Sequence, residues 1–166
     1  FASIHNLPVL FVCENNLYSV YTPLKDRVPK KKNIINITRN YGIESTSIDG
    51  NDPLKVYSAS KKFINSIRQK SRPMFIECKT YRWLEHCGPN WDDKLNYRPK
   101  GELNNWMKKC PLNFIRKKLG KKHIKEVKRI EKKINLEIKA AFDFAKKSKL
   151  PNKKLIEKLY RELGAS

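Results

Sequence analysis

PVLFVCENN, residues 8–16, decides the first part of the fold, because a short apolar run ends abruptly in a glutamate and two asparagines. A continuous run of β-forming residues, here 8–13, is typical of a strand buried on both faces of a parallel sheet. In open α/β sheets, ligands bind at the carboxyl ends of the strands. The sequence therefore predicts a buried strand over 8–13 and a candidate ligand-binding loop directly after it.

Helices and further strands alternate after this first strand. In chain order we predict a helix, a strand, a helix and a strand, at residues 33–41, 45–48, 53–69 and 73–83. Gly42 suits the C-cap of the first helix, while Asp52 and Pro53 suit the N-cap and the first position of the second. Strands that alternate with helices over such short connections indicate an α/β domain with a parallel sheet.

The character of the sequence changes after this alternation. Residues 84–98, LEHCGPNWDDKLNYR, have no periodicity, and loops of this length are usually functional or disordered. Beyond them the apolar spacing predicts helices, at residues 102–109, 111–119, 124–145 and 155–163. We therefore expect an α/β domain over residues 1–98, with a candidate active-site loop at 84–98, and a helical extension over residues 99–166.

The chain is strongly basic: its 166 residues carry 37 Lys+Arg against 16 Asp+Glu, a formal charge of +21. Residues 99–166 hold 21 basic and 7 acidic residues, so +14 of this charge lies in the helical extension. The excess favours polyanions, but no nucleic-acid-binding motif accompanies it and the aromatic residues are not interleaved with the basic clusters. We predict against specific nucleic-acid binding, and a basic binding module without catalysis remains an alternative class.

Composition also bears on location. At 39% hydrophobic residues the chain has enough apolar material to fold, yet no apolar stretch approaches the roughly 18–20 residues of a membrane span. The four cysteines, Cys13, Cys78, Cys87 and Cys110, form no CxxC pair, and free thiols of this kind are typical of a reducing compartment. We predict a cytoplasmic protein that does not enter a membrane.

Two residues are candidates for chemistry. Asn16 follows the first strand, and its carboxamide oxygen together with a nearby backbone carbonyl would suit magnesium, which prefers hard oxygen ligands. Paired asparagines after a strand are also common turn residues, so this pattern alone leaves both interpretations open. His86 lies in the long loop and could transfer a proton or contact phosphate, although a lone loop histidine is more often simply solvated.

Several stretches, taken in order, resemble one known family: LPVLFVCENNLYS, YGIESTSIDGNDPLKVY, RPMFIECKTYRWLEH and NYRP, followed by a helical tail with a Leu-Pro break. Together they resemble the alpha chain of thiamine-diphosphate-dependent 2-oxo acid dehydrogenases, the decarboxylating component of pyruvate, branched-chain and acetoin dehydrogenase complexes. The family's Gly-Asp-Gly cofactor motif would fall upstream of Phe1. The chain therefore resembles the C-terminal part of such a subunit, with a thiamine-diphosphate-binding α/β domain that is incomplete at its N-terminus.

The resemblance implies a role for individual residues. Asn16 matches the asparagine whose side chain binds magnesium, and Tyr18 matches the position that adds its backbone carbonyl, so both would help to bind thiamine diphosphate. His86 matches the histidine near the cofactor diphosphate that helps to pass the acyl group to a lipoyl acceptor. The resemblance further implies a 2-oxo acid substrate and a heterotetramer, in which a beta subunit completes the active site.

The candidate loop departs from the family pattern. Residues 84–98 contain neither serine nor threonine, so the loop phosphorylation known in some members is not expected. The altered loop also leaves two acceptors open: a lipoyl acyltransferase, as in the dehydrogenase complexes, or a small molecule, as in a thiamine-diphosphate-dependent transferase or lyase. Oxidative decarboxylation of a 2-oxo acid with acyl transfer to a lipoyl group is the leading prediction.

Overall fold

The computed structural model describes residues 1–30 and 32–164. Among these residues the strands are β1 Leu10–Asn15, β2 Tyr18–Ser19, β3 Thr22–Pro23, β4 Glu44–Asp49 and β5 Met74–Lys79. The α-helices are α1 Ile34–Asn40, α2 Pro53–Lys70, α3 Glu102–Met107, α4 Pro111–Leu119, α5 Ile124–Lys147 and α6 Lys153–Glu162. The predicted fold class is confirmed, because helices alternate with the strands of a parallel sheet and a helical tail follows.

The main sheet has the strand order β1-β5-β4, and β5 pairs in parallel with both neighbours. Parallel pairing brings the carboxyl ends of the three strands to one edge, where Asn15 and Asp49 both lie beside Lys79. A separate two-stranded sheet, formed by β2 and β3, follows β1 directly. The loops after β1 and β5 therefore leave the sheet side by side, which places both candidate regions at the same edge.

The burial of β1 differs from the prediction. β1 pairs only with β5 among the described residues, so it lies at the edge of the sheet. Phe11 is 40% exposed and Val12 is 57% exposed. The predicted strand buried on both faces over residues 8–13 is therefore wrong for the described chain, and the central β5 is the buried strand instead.

The hydrophobic core lies between α2 and the sheet. Phe63 and Ile67, one helical turn apart, pack with Met74, Ile76 and Cys78, which alternate along β5. Burying a large apolar side chain contributes about 1.5–3 kcal/mol relative to leaving it exposed. The core therefore fixes β5 firmly, and with it the point where the long loop begins.

Local sequence explains where the helices begin and end. Asp52 Oδ1 accepts the backbone amides of Leu54 and Lys55 at 3.0 and 3.2 Å, and Pro53 occupies the first position of α2. Gly42 follows α1 with φ 74°, a left-handed conformation that glycine adopts without steric cost. The predicted N-cap, first helical position and helix-ending glycine are all confirmed.

Backbone contacts divide the chain into two units, Phe1–Lys118 and Leu119–Ser166. The second unit contains α5 and α6, and none of its described residues, up to position 164, is buried. The apolar residues of α5 form a regular stripe that is exposed to solvent, including Ile130, Ile134, Ile138 and Phe142. Within the described ranges no helix is both long and apolar enough to cross a membrane. The expected domain division after residue 98 stays a prediction.

Candidate active site

The two asparagines at the end of β1 shape the loop that follows. Asn15 donates from Nδ2 to Glu77 Oε1 at 2.7 Å, and its Oδ1 accepts the amide of Leu17 at 3.1 Å. Asn16 Oδ1 accepts the amide of Tyr18 at 3.0 Å. Leu17, between them, has a left-handed backbone with φ 71°. These bonds fix the Asn16 carboxamide and the backbone of Tyr18 beside each other at the ligand-binding edge of the sheet.

The hairpin of β2 and β3 continues this loop. It pairs Ser19 with Thr22, and Val20 takes the first turn position with φ 55°. Such a conformation is an outlier for a β-branched residue and costs on the order of 1–3 kcal/mol. Arg82, which follows β5, donates from Nη2 to the Val20 carbonyl at 2.8 Å. The hairpin turn is thus held by a residue from the segment between β5 and the candidate loop.

The loop after β5 places His86 in an exposed turn. Glu85 and Asn90 close the turn: the Glu85 amide donates to the Asn90 carbonyl at 3.0 Å, and Asn90 Nδ2 donates to Glu85 Oε1 at 2.7 Å. The side chain of His86 makes no hydrogen bond or ion pair with another described residue. Its imidazole is therefore open to a group that approaches from solvent.

The base of this loop is closed by buried charges. The side chain of Asp92 is 2% exposed and lies 3.0 Å from Arg98 and 3.9 Å from Arg82. Tyr97 donates its hydroxyl to Asp92 Oδ2 at 2.6 Å. Arg98 also donates to the carbonyls of Arg82 and Trp83, which ties the end of the loop to its start. The loop that carries His86 is therefore anchored at both ends.

Aromatic rings join the base of the His86 loop to the Asn16 loop. Tyr97 meets Tyr18 edge to face, with 5.4 Å between ring centroids, and meets Tyr21 at 5.1 Å. Such pairs contribute about 0.5–1.5 kcal/mol beyond the area they bury. A cavity of about 380 Å³ lies beside the contact, and its walls include Leu17, Tyr18, Lys25, Tyr97, Arg98 and Glu102. The two predicted loops thus share one wall of a cavity.

Glu102, the first residue of α3, accepts hydrogen bonds from two tyrosines. Tyr18 donates to Glu102 Oε2 at 2.5 Å, and Tyr81 donates to the same oxygen at 2.8 Å. Burial, and then the bond to Glu102, raises the pKa of Tyr18 to about 12, and the same two causes raise the pKa of Tyr81 above its ordinary value. Both phenols are therefore neutral donors at physiological pH, as these two bonds require.

A second cavity, of about 490 Å³, opens at the carboxyl edge of the main sheet. Asn15 and the buried Glu77 contribute to its lining, together with four lysines that have no acidic partner among the described residues, Lys25, Lys30, Lys32 and Lys79. Glu77 accepts the bond from Asn15 and is the single carboxylate in the described lining. The excess of positive charge raises the local concentration of anions at this edge.

The structure brings two of the three predicted residues together and sets the third apart. Asn16 and Tyr18 are joined by a hydrogen bond. The His86 side chain makes no hydrogen bond with either of them, and its loop is linked to them by the contact of Tyr97, at the base of the loop, with Tyr18. In the described part of the chain no group of three or more His, Cys, Asp or Glu side chains could hold a metal ion.

The residues that hold the site together were not predicted from the sequence. Asp92 and Glu102 each have several hydrogen-bond or ion-pair partners, yet neither belongs to a recognisable ligand pattern. Asp92 lies in the aperiodic loop, and Glu102 is the first residue of a predicted helix. One available signal was an aperiodic loop that combines an acidic pair with tyrosine and arginine. Such a mixture predicts an internal polar network better than it predicts a solvated loop.

The chain matches the family model described as "Dehydrogenase E1 component" over residues 1–154. The pyruvate dehydrogenase E1 component subunit alpha of Rickettsia conorii is 32% identical over 154 residues, 91% of this chain and 46% of that protein. The 2-oxoisovalerate dehydrogenase subunit alpha of Bacillus subtilis is 38% identical over 112 residues, 68% of this chain and 33% of that protein. The mitochondrial 2-oxoisovalerate dehydrogenase subunit alpha of Mus musculus is 31% identical over 170 residues, 99% of this chain and 38% of that protein.

The parallel sheet with its alternating helices defines an α/β domain, and fixed oxygen donors lie at the carboxyl edge of the sheet, where ligands bind in open α/β folds. The match over residues 1–154 takes the identification further: the chain belongs to the dehydrogenase E1 component family. The resemblance to alpha subunits of 2-oxo acid dehydrogenases is confirmed by the similar proteins. The chain spans half or less of the length of these relatives, between 33% and 46% for the two bacterial proteins.

Proposed function

We propose that this chain forms part of the alpha subunit of a thiamine-diphosphate-dependent 2-oxo acid dehydrogenase. The reaction is the oxidative decarboxylation of a 2-oxo acid with acyl transfer to a lipoyl group. The observation that carries the proposal is the contact of Tyr97, at the base of the His86 loop, with Tyr18 at the carboxyl edge of the sheet. This contact supports one shared site in a family whose members generally depend on thiamine diphosphate.

The donor set of the Asn16 loop fits magnesium. Asn16 Oδ1 accepts one hydrogen bond from the described chain, from the amide of Tyr18, and an amide oxygen has a second lone pair to offer. The backbone carbonyl of Tyr18 adds a second hard oxygen on the same turn. Mg²⁺ is usually held by few protein ligands, with substrate phosphates and water completing its coordination. In this proposal Asn16 and Tyr18 hold the metal ion that anchors the cofactor diphosphate.

His86 has the role of a proton donor and acceptor on the diphosphate side of the site. A histidine suits this role because its proton exchange falls near neutral pH. The ion pair of Asp92 and Arg98 fixes the ends of its loop, while the exposed turn leaves the His86 imidazole open to the acyl acceptor. When bound, thiamine diphosphate supplies the carbanion chemistry, and the chain supplies orientation and charge.

The proposed enzyme is cytoplasmic and is completed by a beta subunit as an alpha/beta heterotetramer. Residues 1–98 contribute the C-terminal part of the cofactor-binding domain, and residues 99–166 form a helical extension that packs on the domain or on the partner. The exposed apolar stripe of α5 supports such packing. A lipoyl acyltransferase is the proposed acyl acceptor.

The loop of residues 84–98 favours a second candidate for the acceptor. Its turn is closed by Glu85 and Asn90, and it carries no serine or threonine. In this alternative the enzyme is a thiamine-diphosphate-dependent transferase or lyase that passes the activated aldehyde to a small molecule. Both candidates share the metal and cofactor sites and differ only in the acceptor.

The central experiment assembles the complete alpha subunit with its beta subunit and measures decarboxylation of 2-oxo acids with an artificial electron acceptor. We expect activity that requires thiamine diphosphate and magnesium. Asn16→Ala should weaken cofactor binding, and added magnesium should partly restore it by mass action. Asn36→Ala, an exposed position on α1, is the matched control. An enzyme that decarboxylates no 2-oxo acid, or needs neither cofactor, would overturn the proposal.

His86→Ala separates the acyl-transfer role from the binding role. Transfer to the natural acceptor should fall about a hundredfold or more, as is typical when a positioned proton-transfer group is lost. Decarboxylation with the artificial acceptor should fall less, and cofactor binding should change little. His123→Ala, an exposed histidine of the helical extension, is the control. Full activity of His86→Ala in both assays would leave the solvated-loop interpretation standing.

A further inference from the structure

Tyr18 is held at two points by hydrogen bonds. Its amide donates to Asn16 Oδ1 at 3.0 Å, and its phenol donates to Glu102 Oε2 at 2.5 Å. The carbonyl that the proposed function uses for magnesium belongs to this same residue. The direction of that carbonyl therefore depends on both bonds, one from within the loop and one from α3.

The bonds within the loop hold a conformation that is unfavourable for its residues. Leu17, the preceding residue, has φ 71°, and non-glycine residues keep left-handed backbone only where their surroundings enforce it. The β2 strand that begins at Tyr18 has two residues, so few backbone bonds support it. A contact from outside the loop therefore adds to the local bonds that hold this shape.

Glu102 supplies a contact of this kind through its carboxylate. Tyr81 donates to the same Oε2 at 2.8 Å, is largely buried, and stacks on Trp106 of α3 with 5.4 Å between ring centroids and 10° between planes. Tyr81 therefore fixes the carboxylate of Glu102, which also accepts the hydrogen bond from Tyr18. Two charge-assisted bonds to one oxygen are stronger than bonds between neutral groups.

We propose that Glu102 is a positioning residue for the metal-binding loop: its carboxylate, fixed by Tyr81, holds the Tyr18 side chain and so aims the Tyr18 carbonyl at the metal ion. The inference rests on the proposed function for the identity of the ligand. It assigns Glu102 an action through Tyr18, with no contact to substrate or cofactor. A purely structural Glu102 would stabilise the start of α3 through the helix dipole and would leave the loop unaffected.

The test compares Glu102→Ala, Glu102→Gln and Tyr18→Phe in the assembled alpha/beta enzyme. Glu102→Ala should weaken magnesium binding about 10–100-fold, the loss typical of residues that orient metal ligands, with kcat at saturating magnesium nearly unchanged. Glutamine keeps an acceptor oxygen and should recover most of the affinity. Tyr18→Phe keeps the carbonyl and removes only the tethered hydroxyl, so it should weaken magnesium binding as much as Glu102→Ala does. The double variant should lose no more than either single variant.

Hydrogen exchange of the amides of residues 17–19, measured without metal or cofactor, gives a second readout. Glu102→Ala and Tyr18→Phe should both raise this exchange, while Asn105→Ala, at an exposed position of α3, should not. Unchanged metal affinity and exchange in Tyr18→Phe would overturn the inference, even if Glu102→Ala fails to fold. If the wild-type enzyme binds no magnesium but both variants still raise the exchange, the tether stands and the proposed function fails.

Discussion

Asp92 provides the strongest test of how the His86 loop is held. Asp92→Ala would leave Arg82 and Arg98 without their shared carboxylate, although the two guanidinium side chains are only 20% and 5% exposed. Removal of one partner from a buried ion pair typically destabilises a protein by about 3–5 kcal/mol. Tyr97 would also lose the acceptor that lies 2.6 Å from its hydroxyl. We therefore expect the base of the loop to open.

Geometry places the expected loss near the lower end of that range. Asp92 Oδ1 lies 3.0 Å from Arg98 Nη2 but accepts no aligned hydrogen bond. Arg98 would keep its bonds to the carbonyls of Arg82 and Trp83 at 3.2 and 3.1 Å. A loss of about 3 kcal/mol corresponds to a roughly hundredfold larger open population of the loop.

Asp93 is the matched control, because it is the adjacent aspartate and pairs with the same arginine. Its side chain is 54% exposed and lies 3.4 Å from Arg98 Nη1, and exposed pairs contribute about 1 kcal/mol or less. Hydrogen exchange of residues 84–98 in the assembled enzyme should rise strongly in Asp92→Ala and slightly in Asp93→Ala. Equal and small effects of the two variants would refute the role of the buried ion pair.

Three further outcomes follow from single contacts. Burial, and then the bond to Asp92, raises the pKa of Tyr97 above its ordinary value of 10.0, so the folded state favours the neutral phenol. The stability lost in Tyr97→Phe should therefore be constant below pH 10.0 and shrink as the pH rises through the higher pKa, which urea unfolding at several pH values would show. A constant difference up to high pH would contradict this. Val20→Gly should relieve left-handed strain and raise the unfolding midpoint or leave it unchanged; a loss of more than about 1 kcal/mol in urea unfolding would argue against strain. A Cβ at Gly50 would lie 2.6 Å from Thr80 Cγ2, 2.9 Å from Cys78 Cβ and 3.0 Å from the Lys79 carbonyl oxygen, so Gly50→Ala should cost about 1–3 kcal/mol. Thr80→Ser should recover part of this loss in calorimetric melting, and no rescue would show that the contacts with Cys78 and the Lys79 carbonyl dominate.

Local signals in the sequence predicted much of the fold. The limits of α2 depend on Asp52 and Pro53, which act within one helical turn, so the sequence shows them directly. The burial of β1 depends on which strands and helices lie beside it, and the apolar run of 8–13 does not indicate those neighbours. Its hydrophobicity was correctly identified, but its position at a sheet edge was not.

The candidate site divides in the same way. Asn16 and Tyr18 are neighbours in sequence and their bond is local, so a short motif could indicate them. The hydrogen bond between Tyr18 and Glu102 spans 84 positions, and no pattern within either segment indicates that the two residues meet. The Arg82 bond to Val20 spans 62 positions. The residues that position the site could therefore not be predicted from sequence spacing alone.

The long reach of the Arg82 bond also sets an order of events during synthesis. A two-stranded hairpin alone is at best marginally stable in water, and Val20 adds a conformation that disfavours it further. Until the ribosome has released the chain as far as Arg82, the hairpin turn lacks the bond that Arg82 donates to the Val20 carbonyl. The edge that carries Asn16 and Tyr18 is thus completed after the strands of the main sheet, and a nascent chain that stalls before residue 82 would carry both residues without the contacts from Arg82 and Tyr97.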